Sequence, residues 1–345
     1  MELKASPENV FEWFALRLNL VPLPLLHGQI FPVISKAVLS AADKGVFHAV
    51  EAGSETVEAI AAACGLQPVP TRQLLDVLAS CGYLNFKNNR YRLSLMAGKW
   101  VGSLSASDLS DLLIYNNRVV WKWMDHLDSY LETGKGIDYH KSFGDEEWGL
   151  YQKAMRAVAV SEVKEFSRKC PVPGTARRML DIGGAHGLHV KALRERYPGL
   201  RAEILDLPGA LEAQQRYAED DNITFIPGDV RETDLGIDRY DLVLMSSLAH
   251  HFSSEENRQI AVRVALALKP GGFYVINEFI NPEATGSGAG LVGSSSSLFF
   301  GLTSASGTWT IGETQEWQKA AGLKPLKVKG YRAIPGRFLI AARKD

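Results

Sequence analysis

Three carboxylates and a glycine cluster lie where apolar, strand-like runs of the sequence end. Asp181 stands in the run Leu180–Gly187, where Gly183 and its small neighbours would let the backbone approach a ligand. Asp206 comes 25 residues after Asp181, at the end of the next apolar run, and Asp229 ends the run after that. A carboxylate such as Asp206 could accept both hydroxyls of a ribose, and Asp229 could meet an adenine edge. The spacing therefore favours a nucleoside-binding site.

A candidate catalytic base follows the fourth apolar run. His250 lies in the segment Ser247–Ser253, directly after that run. An imidazole titrates near neutral pH and has two nitrogens, so one nitrogen can take a proton while the other is anchored. His250 is therefore the strongest catalytic candidate in the chain.

Composition and missing motifs exclude several other kinds of site. The 38 basic and 39 acidic residues balance, which disfavours nucleic acid or an anionic membrane as the main partner. Cys64, Cys81 and Cys170 lack CxxC or Cys/His ligand spacing, so we predict no disulfide framework and no metal site. The chain has no GxxxxGKS/T phosphate loop, and its glycine cluster lacks the GxGxxG spacing of nicotinamide and flavin sites. A small-molecule partner and the reducing cytosol fit best.

The second half of the chain predicts an α/β domain. From Ala176 onward, short apolar runs alternate with amphipathic helices, which is typical of a parallel sheet covered on both faces. The stretch Glu283–Thr308 is rich in Gly and Ser but contains Leu298–Phe300, whose exposure to water would be costly. We expect a Rossmann-like domain with a partly helical insertion beside its site.

The first half predicts helices followed by a hairpin. Helical spacing at residues 33–48, Glu55–Cys64 and Thr71–Ser80 precedes two β-rich runs around Lys87–Arg90, the pattern of a winged helix. Basic residues are too sparse there for a DNA-binding face, so a dimerisation or scaffold role is favoured. We therefore expect a winged-helix dimerisation domain at 1–107, a helical layer bordering the substrate pocket at 108–170, and a catalytic domain at 171–345.

The apolar N-terminal stretch Phe11–Val46 raises the question of a membrane helix. Charged residues and three prolines, Pro22, Pro24 and Pro32, are expected to interrupt each window that a span would need. The start of the chain also lacks the pattern of a signal peptide. We predict a cytoplasmic protein without a membrane partner. The apolar surface at residues 10–48 further favours a homodimer.

Taken together, the motifs resemble a known enzyme family. The run from Leu180 to Glu278 resembles class I S-adenosylmethionine-dependent methyltransferases, with the glycine cluster, DLP at 206–208, GD at 228–229, YDLVLMSS and KPGG at 269–272. Over roughly residues 30–340 the chain is similar to small-molecule O-methyltransferases of the caffeic acid and hydroxyneurosporene type. The resemblance implies a Rossmann-like class I methyltransferase domain, preceded by a mainly α winged-helix dimerisation domain. It also implies S-adenosyl-L-methionine as cofactor.

The resemblance assigns roles by position. His250 would be the general base, and the carboxylate that orients it would be Glu278, 28 residues later. The acceptor pocket would be bordered by Tyr151, Met155, His251 and Thr308. An ordinary helix face explains the spacing of Tyr151 and Met155 equally well. The cofactor would be contacted by eight residues: Asp181, Gly183, Ala185, Asp206, Leu207, Asp229, Val230 and Ser246.

Three departures from the family pattern keep alternatives open. His251 stands where the family has Asp, and it could bind substrate, bind a metal or face solvent. Thr308 stands where the family has a Glu that assists the base. Without that Glu, S- or C-methylation is an alternative to O-methylation. The acceptor would then be a small hydroxy, oxo or methylthio acid, of the dimethylsulfoniopropionate pathway type. Ala185-His186 replaces Gly-Thr or Gly-Ser but still permits a tight turn. A winged-helix ligand sensor without turnover, and a non-methyl rearrangement, are further alternatives.

Overall fold

The computed structural model describes residues 7, 9–137, 139, 143–184, 186–214, 223–282, 290–304, 306–332 and 334–345. Their contacts divide the chain into two compact units, one ending at Trp121 and the other beginning at Lys122. This boundary lies inside the segment 108–170, so the segment expected to form one helical layer is shared between the units.

The first unit is mainly helical. Its elements are α1 (Val10–Arg17), α2 (Leu23–Leu25), α3 (Phe31–Asp43), α4 (Val46–Glu51), α5 (Val57–Cys64), α6 (Pro68–Ser80), β1 (Leu84–Lys87), β2 (Arg90–Leu93), α7 (Leu95–Trp100) and α8 (Ser110–Tyr115). The predicted hairpin is confirmed, and Asn88 and Asn89 both adopt positive φ at its two-residue turn. Helices α3, α5 and α6 and the hairpin enclose a core that includes Phe47, Ile60 and Leu75.

The expected proline interruption of the N-terminal stretch is wrong. Leu23–Asp43 is continuously helical, because Pro24 lies in a first turn, where its missing N–H is not needed, and Pro32 follows a π-helical turn at Leu26–Ile30. By length and composition alone, this is the one helix of the described residues that could cross a membrane. Core helices and signal sequences pass the same test.

The second unit has the expected Rossmann-like α/β fold. Its elements are α9 (Trp121–Trp123, which begins in the first unit), α10 (Leu127–Thr133), α11 (Asp145–Lys169), β3 (Arg178–Ile182), α12 (Leu188–Arg196), β4 (Arg201–Asp206), α13 (Pro208–Gln214), β5 (Ile223–Pro227), β6 (Tyr240–Ser246), α14 (Ser254–Ala267), β7 (Leu268–Phe279), α15 (Gly290–Thr303), α16 (Ile311–Ala320), β8 (Lys324–Pro325), β9 (Lys329–Gly330) and β10 (Arg337–Arg343). Helix α15 confirms that the Gly/Ser-rich insertion is partly helical.

The strand order places the candidate residues that end or follow β3, β4, β5 and β6 at one edge of the sheet. The order is β5-β4-β3-β6-β7-β10-β8, with β9 also paired to β10. Strands β3 to β7 run parallel, so their carboxyl ends share an edge, whereas β10 is antiparallel to β7 and brings its first residue, Arg337, to that same edge. Ligands of open α/β sheets bind at this edge.

Apolar side chains alternate between the two faces of the sheet. Leu180, Val243 and Ile276 pack toward α14 and α16, whereas Met179, Leu242 and Val275 pack toward α11 and α12. Both faces are therefore buried, which holds the strand ends in fixed positions relative to each other.

Candidate functional site

A tight glycine turn follows β3. Gly183 and Gly187 adopt φ of 69° and 66°, in the left-handed region that favours glycine. A Cβ on Gly184 would lie 2.7 Å from the Asp181 carboxyl group, so a side chain there would force a rearrangement. Ala185 lies outside the described residues. The turn thus brings bare backbone to the start of α12, where a ligand can approach closely.

Asp181 is buried directly beneath this turn. Its side chain is inaccessible to solvent, and neither carboxyl oxygen has a hydrogen-bond partner within the described part of the chain. Burial raises the pKa of Asp181 well above its usual value, and the nearby charge of Asp206 acts in the same direction. The structure therefore places Asp181 under the site, away from the wall of the cavity described next.

A cavity of about 460 Å³ lies between this sheet edge and α11. Its volume suits a small molecule. Nine residues predicted from the sequence line it: Tyr151, Met155, Gly183, Asp206, Leu207, Asp229, Val230, Ser246 and His251. Four predicted residues do not line the cavity as the structure describes it: Asp181, His250, Glu278 and Thr308.

Asp206 and Asp229 lie at the ends of adjacent strands, as predicted. An oxygen of Asp206 accepts the backbone N–H of Leu207 at 2.8 Å. Asp229 is engaged by Arg231, whose Nη2 lies 2.6 Å from Oδ2. Hydrogen bonds from Arg231 lower the pKa of Asp229, so this carboxylate is charged at neutral pH.

His250 and Glu278 form a buried pair. Nδ1 of His250 lies 3.0 Å from Oε2 of Glu278, and the exposed fractions of the two residues are both 3%. Glu278 is held in turn by the backbone N–H of Phe279 on its other oxygen. This pair has the geometry of an imidazole oriented by a carboxylate, with Nε2 left for another task.

The turn that carries His250 is fixed from two sides. The Asn257 side chain of α14 donates to the carbonyl groups of Ala249 and Phe252, at 2.9 and 3.1 Å. Nε1 of Trp309 donates to the same Ala249 carbonyl at 3.1 Å. Because three hydrogen bonds hold this turn, the imidazole position is set by the fold.

Two rings cover His250. The Phe300 ring of α15 stacks on it, with centroids 4.0 Å apart, and the His251 ring lies 4.2 Å away on centroids. His251 faces the cavity, whereas His250 stands one layer behind it. The covering by Phe300 was missed from the sequence, because a Gly/Ser-rich insertion gives no indication of which side chain turns inward.

Aromatic rings surround the end of the cavity near α11. Tyr139, Trp148 and Tyr151 line it, and Trp148 and Tyr151 meet edge to face with centroids 5.8 Å apart. Burial raises the pKa of Tyr151 to about 12, so its phenol is neutral at physiological pH. This end can therefore hold a flat apolar group and offer it neutral hydrogen-bonding groups.

Comparison with known proteins identifies the class of enzyme. The O-methyltransferase domain family matches residues 124–292. The chain is an S-adenosylmethionine-dependent methyltransferase. Its sequence is 23% identical to acetylserotonin O-methyltransferase of Bos taurus over 286 residues, covering 74% of this chain and 79% of the relative. It is 24% identical to the mitomycin biosynthesis 6-O-methyltransferase of Streptomyces lavendulae, with coverage of 73% and 76%.

Solved structures confirm the fold of the methyltransferase. Human N-acetylserotonin methyltransferase in complex with SAM superposes with a TM-score of 0.83 at 19% identity, covering 99% of both chains. PigF with SAH superposes with a TM-score of 0.78 at 20% identity, covering 94% of this chain and all of the other.

The cavity of the methyltransferase fits its cofactor. Bare backbone at Gly183–Gly184 and the carboxylate of Asp206 suit an adenosine group. The buried side-chain amide of Gln152 on the cavity wall has no partner for either polar atom among the described residues. Unpaired buried amides are costly, so these atoms are available to a polar ligand. Sequence reasoning missed Gln152 because it reads as an ordinary helix residue.

Thr308 departs from its predicted place in the site of the methyltransferase. It is buried, and its hydroxyl has no hydrogen-bond partner in the described ranges, but it does not line the cavity. The short backbone pairing of Ile280 with Trp309 holds this segment beside β7. A threonine here cannot supply the negative charge that a glutamate would supply.

A metal centre in the methyltransferase would require a group of ligating side chains. The described residues contain no group of three or more His, Cys, Asp and Glu side chains that could hold an ion. Within this part of the chain, His251 therefore belongs to no such group.

Proposed function

We propose that the methyltransferase transfers a methyl group to a hydroxyl of a small aromatic acceptor, with His250 as general base and Glu278 as its orienting partner. The observation that carries this proposal is the buried 3.0 Å contact between the two side chains. The aromatic lining at Tyr139, Trp148 and Tyr151 supports a flat acceptor. The names of the bovine and Streptomyces relatives, which specify O-methylation, agree with a hydroxyl acceptor.

S-Adenosylmethionine, when bound, supplies a methyl group on a positively charged sulfur, which is already an activated leaving group. The protein aligns the acceptor oxygen with that methyl group and excludes water. His250 takes the hydroxyl proton on Nε2 as the new O–CH₃ bond forms and the S–CH₃ bond breaks. Glu278 stabilises the resulting imidazolium through Nδ1. S-Adenosylhomocysteine and the methyl ether are the products.

The acceptor reaches His250 along the edge of its ring. Phe300 covers one face of the imidazole and His251 lies close by, so the free approach is toward Nε2. In this arrangement His251, on the cavity wall, contacts the acceptor directly and belongs to the substrate pocket together with Tyr151 and Met155.

The test is methyl transfer with purified protein and three acceptor sets: phenols, hydroxy acids and thioether acids. Formation of S-adenosylhomocysteine together with a methyl ether, identified by mass and fragmentation, supports the proposal. A thioether that is methylated on sulfur, at a rate unaffected by loss of His250, would contradict it, because a thioether loses no proton.

We predict that Glu278→Gln lowers kcat by about 10²-fold, within the range assigned to general-base catalysis. The amide cannot stabilise an imidazolium, and its NH₂ group can turn toward Nδ1 and favour the wrong tautomer. Steady-state kinetics should show an unchanged KM for the cofactor, and Glu278→Asp should recover part of the activity. Equal losses in kcat and in cofactor affinity would instead indicate a structural role for Glu278.

We also propose that the chain forms a homodimer through its N-terminal helices. Large apolar side chains are exposed along this region: Val10, Phe11, Trp13, Phe14, Leu18, Leu20, Leu23, Leu25, Ile30, Phe31 and Val33. Exposed apolar side chains concentrated in one segment are typical of an interface.

Light scattering during size exclusion tests the dimer. We expect the parent protein to elute at twice the chain mass and the Phe11→Ser/Phe14→Ser variant to elute as a monomer. Val69→Ser removes a similarly exposed apolar side chain from α6 and should leave the dimer intact. A monomeric parent protein would contradict the proposal.

A further inference from the structure

A buried ion pair joins α11 to the last long strand. Nε of Arg337 lies 2.5 Å from Oε2 of Glu162, and each residue is 1% exposed. The contact is an ion pair without the alignment of a hydrogen bond. Neither residue was singled out in the sequence, where they stand 175 positions apart.

Other polar side chains hold both members of this pair. The second carboxylate oxygen of Glu162 contacts Nε2 of His189 at 3.0 Å and accepts from Asn277 at 3.3 Å. Burial acts to raise the pKa of Glu162, but Arg337 and His189 outweigh it and lower the pKa, so the carboxylate is charged. The orientation of the guanidinium group is thereby fixed from the Glu162 side.

Two hydroxyls hold Arg337 on its other side. Nη2 donates to Oγ of Ser246 at 3.1 Å and to Oγ of Ser247 at 2.8 Å. Oγ of Ser246 also accepts from Asn277 at 3.0 Å. Because two donors already meet this oxygen, the hydroxyl hydrogen of Ser246 points elsewhere and can be donated.

One nitrogen of this network is left over. Nη1 of Arg337 is buried, and it has no hydrogen-bond partner among the residues that the structure describes. Arg337, Ser246, Glu162 and His189 all line the cavity. An arginine side chain remains charged in proteins, and a buried donor without a partner is costly. The cavity wall therefore includes a cationic side chain whose orientation is fixed and whose buried Nη1 has no partner among the described residues.

Strand order places this group at the far end from the proposed adenosine. Asp229 and Asp206 follow β5 and β4, the glycine turn follows β3, Ser246 ends β6, and Arg337 begins β10. The reacting sulfur must lie near His250, just after β6, so the amino-acid part of the cofactor extends beyond the glycine turn toward β6 and β10. That part carries one carboxylate and one ammonium group.

We propose that Nη1 of Arg337, with the hydroxyl of Ser246 beside it, binds the α-carboxylate of the amino-acid tail of the cofactor. Glu162 and His189 are positioning residues that hold the guanidinium group. The Glu162–Arg337 pair and the tail are each neutral overall, so binding leaves no net charge buried. The inference rests on the proposed placement of the cofactor in this cavity.

The test compares two ligands that differ in the tail. S-Adenosylhomocysteine carries the amino-acid group, whereas 5′-methylthioadenosine retains the adenosine and sulfur but lacks the carboxylate. In calorimetric titrations, Arg337→Gln should weaken S-adenosylhomocysteine binding by about 10- to 100-fold, the size of a lost charge-assisted contact. Binding of 5′-methylthioadenosine should change by less than about twofold on the same scale.

Two variants control for folding and for charge. Glu162→Gln/Arg337→Gln removes both charges together, so that no unpaired carboxylate is left buried; it should fold and show the same selective loss. Arg343→Gln changes an exposed arginine at the other end of β10 and should bind both ligands as the parent does.

Each remaining outcome is decisive. If the Arg337 variants lose affinity for both ligands equally, or for neither, the assignment of Arg337 is overturned while the cofactor site stands. If the parent protein binds neither ligand, the cofactor placement itself fails and the assignment fails with it.

Discussion

His250→Ala should lower kcat by about 10²- to 10⁴-fold, the range contributed by a positioned general base. The reason is that Glu278 orients the His250 imidazole, which stands just after β6, where the reacting sulfur is expected. Cofactor affinity should stay within about twofold of the parent protein, because no predicted cofactor contact is removed. Single-turnover kinetics with saturating cofactor, together with calorimetric titration, measures both quantities.

Two further histidine variants serve as a control and as a test of the alternative base. His126→Ala removes an exposed imidazole from the second unit and should leave all constants unchanged. His251→Ala removes the imidazole on the cavity wall and should raise the KM of the acceptor more than it lowers kcat. If His251→Ala abolishes turnover while His250→Ala does not, the two roles are exchanged and His251 is the base.

Asp206→Ala should weaken binding of S-adenosylhomocysteine by about 10- to 100-fold, since two hydroxyl donors of the ribose would lose a charged acceptor. The Asp206 carboxylate lies at the end of β4 on the cavity wall, and it is anchored there by the N–H of Leu207. At saturating cofactor, kcat should fall by less than about threefold, because ribose contacts are made equally in the ground and transition states.

Calorimetric titration checks the Asp206 prediction, with Asp128→Ala as control. Asp128 is an exposed carboxylate of α10 in the same unit, and its loss tests for a general effect of net charge. Unaltered affinity of the Asp206 variant would show that the ribose lies elsewhere. A loss for both variants would indicate an effect of charge rather than of contact.

Much of this arrangement could be predicted because local pattern determines it. Alternating apolar runs and amphipathic helices specify a covered parallel sheet, and parallel strands bring Asp206, Asp229 and Ser246 to one edge without further information. The pairing of His250 with Glu278 came from the family resemblance, and the structure brings the two side chains together at the ends of the neighbouring strands β6 and β7. Strand order alone explains why the carboxylates and Ser246 share an edge.

The remaining features depend on side-chain packing between distant segments. Arg337 and Glu162 meet because an antiparallel strand returns to the edge of the sheet and a long helix crosses it, and no periodicity links the two positions. Phe300, which covers His250, belongs to the Gly/Ser-rich insertion. The sequence of that insertion does not indicate which of its side chains pack against the sheet edge. The π-helical turn that carries the chain past Pro32 likewise has no sequence pattern of its own. Tertiary packing decides such features.

The position of β10 in the chain has a consequence for biosynthesis. This strand follows β7 in the chain, yet it pairs with β7 over seven registered positions. A growing polypeptide therefore emerges from the ribosome with β7 as an open, apolar sheet edge that includes Val275 and Ile276, and such edges promote aggregation. A truncation before residue 337 would leave that edge uncovered. Loss of β10 should therefore cost solubility as well as activity.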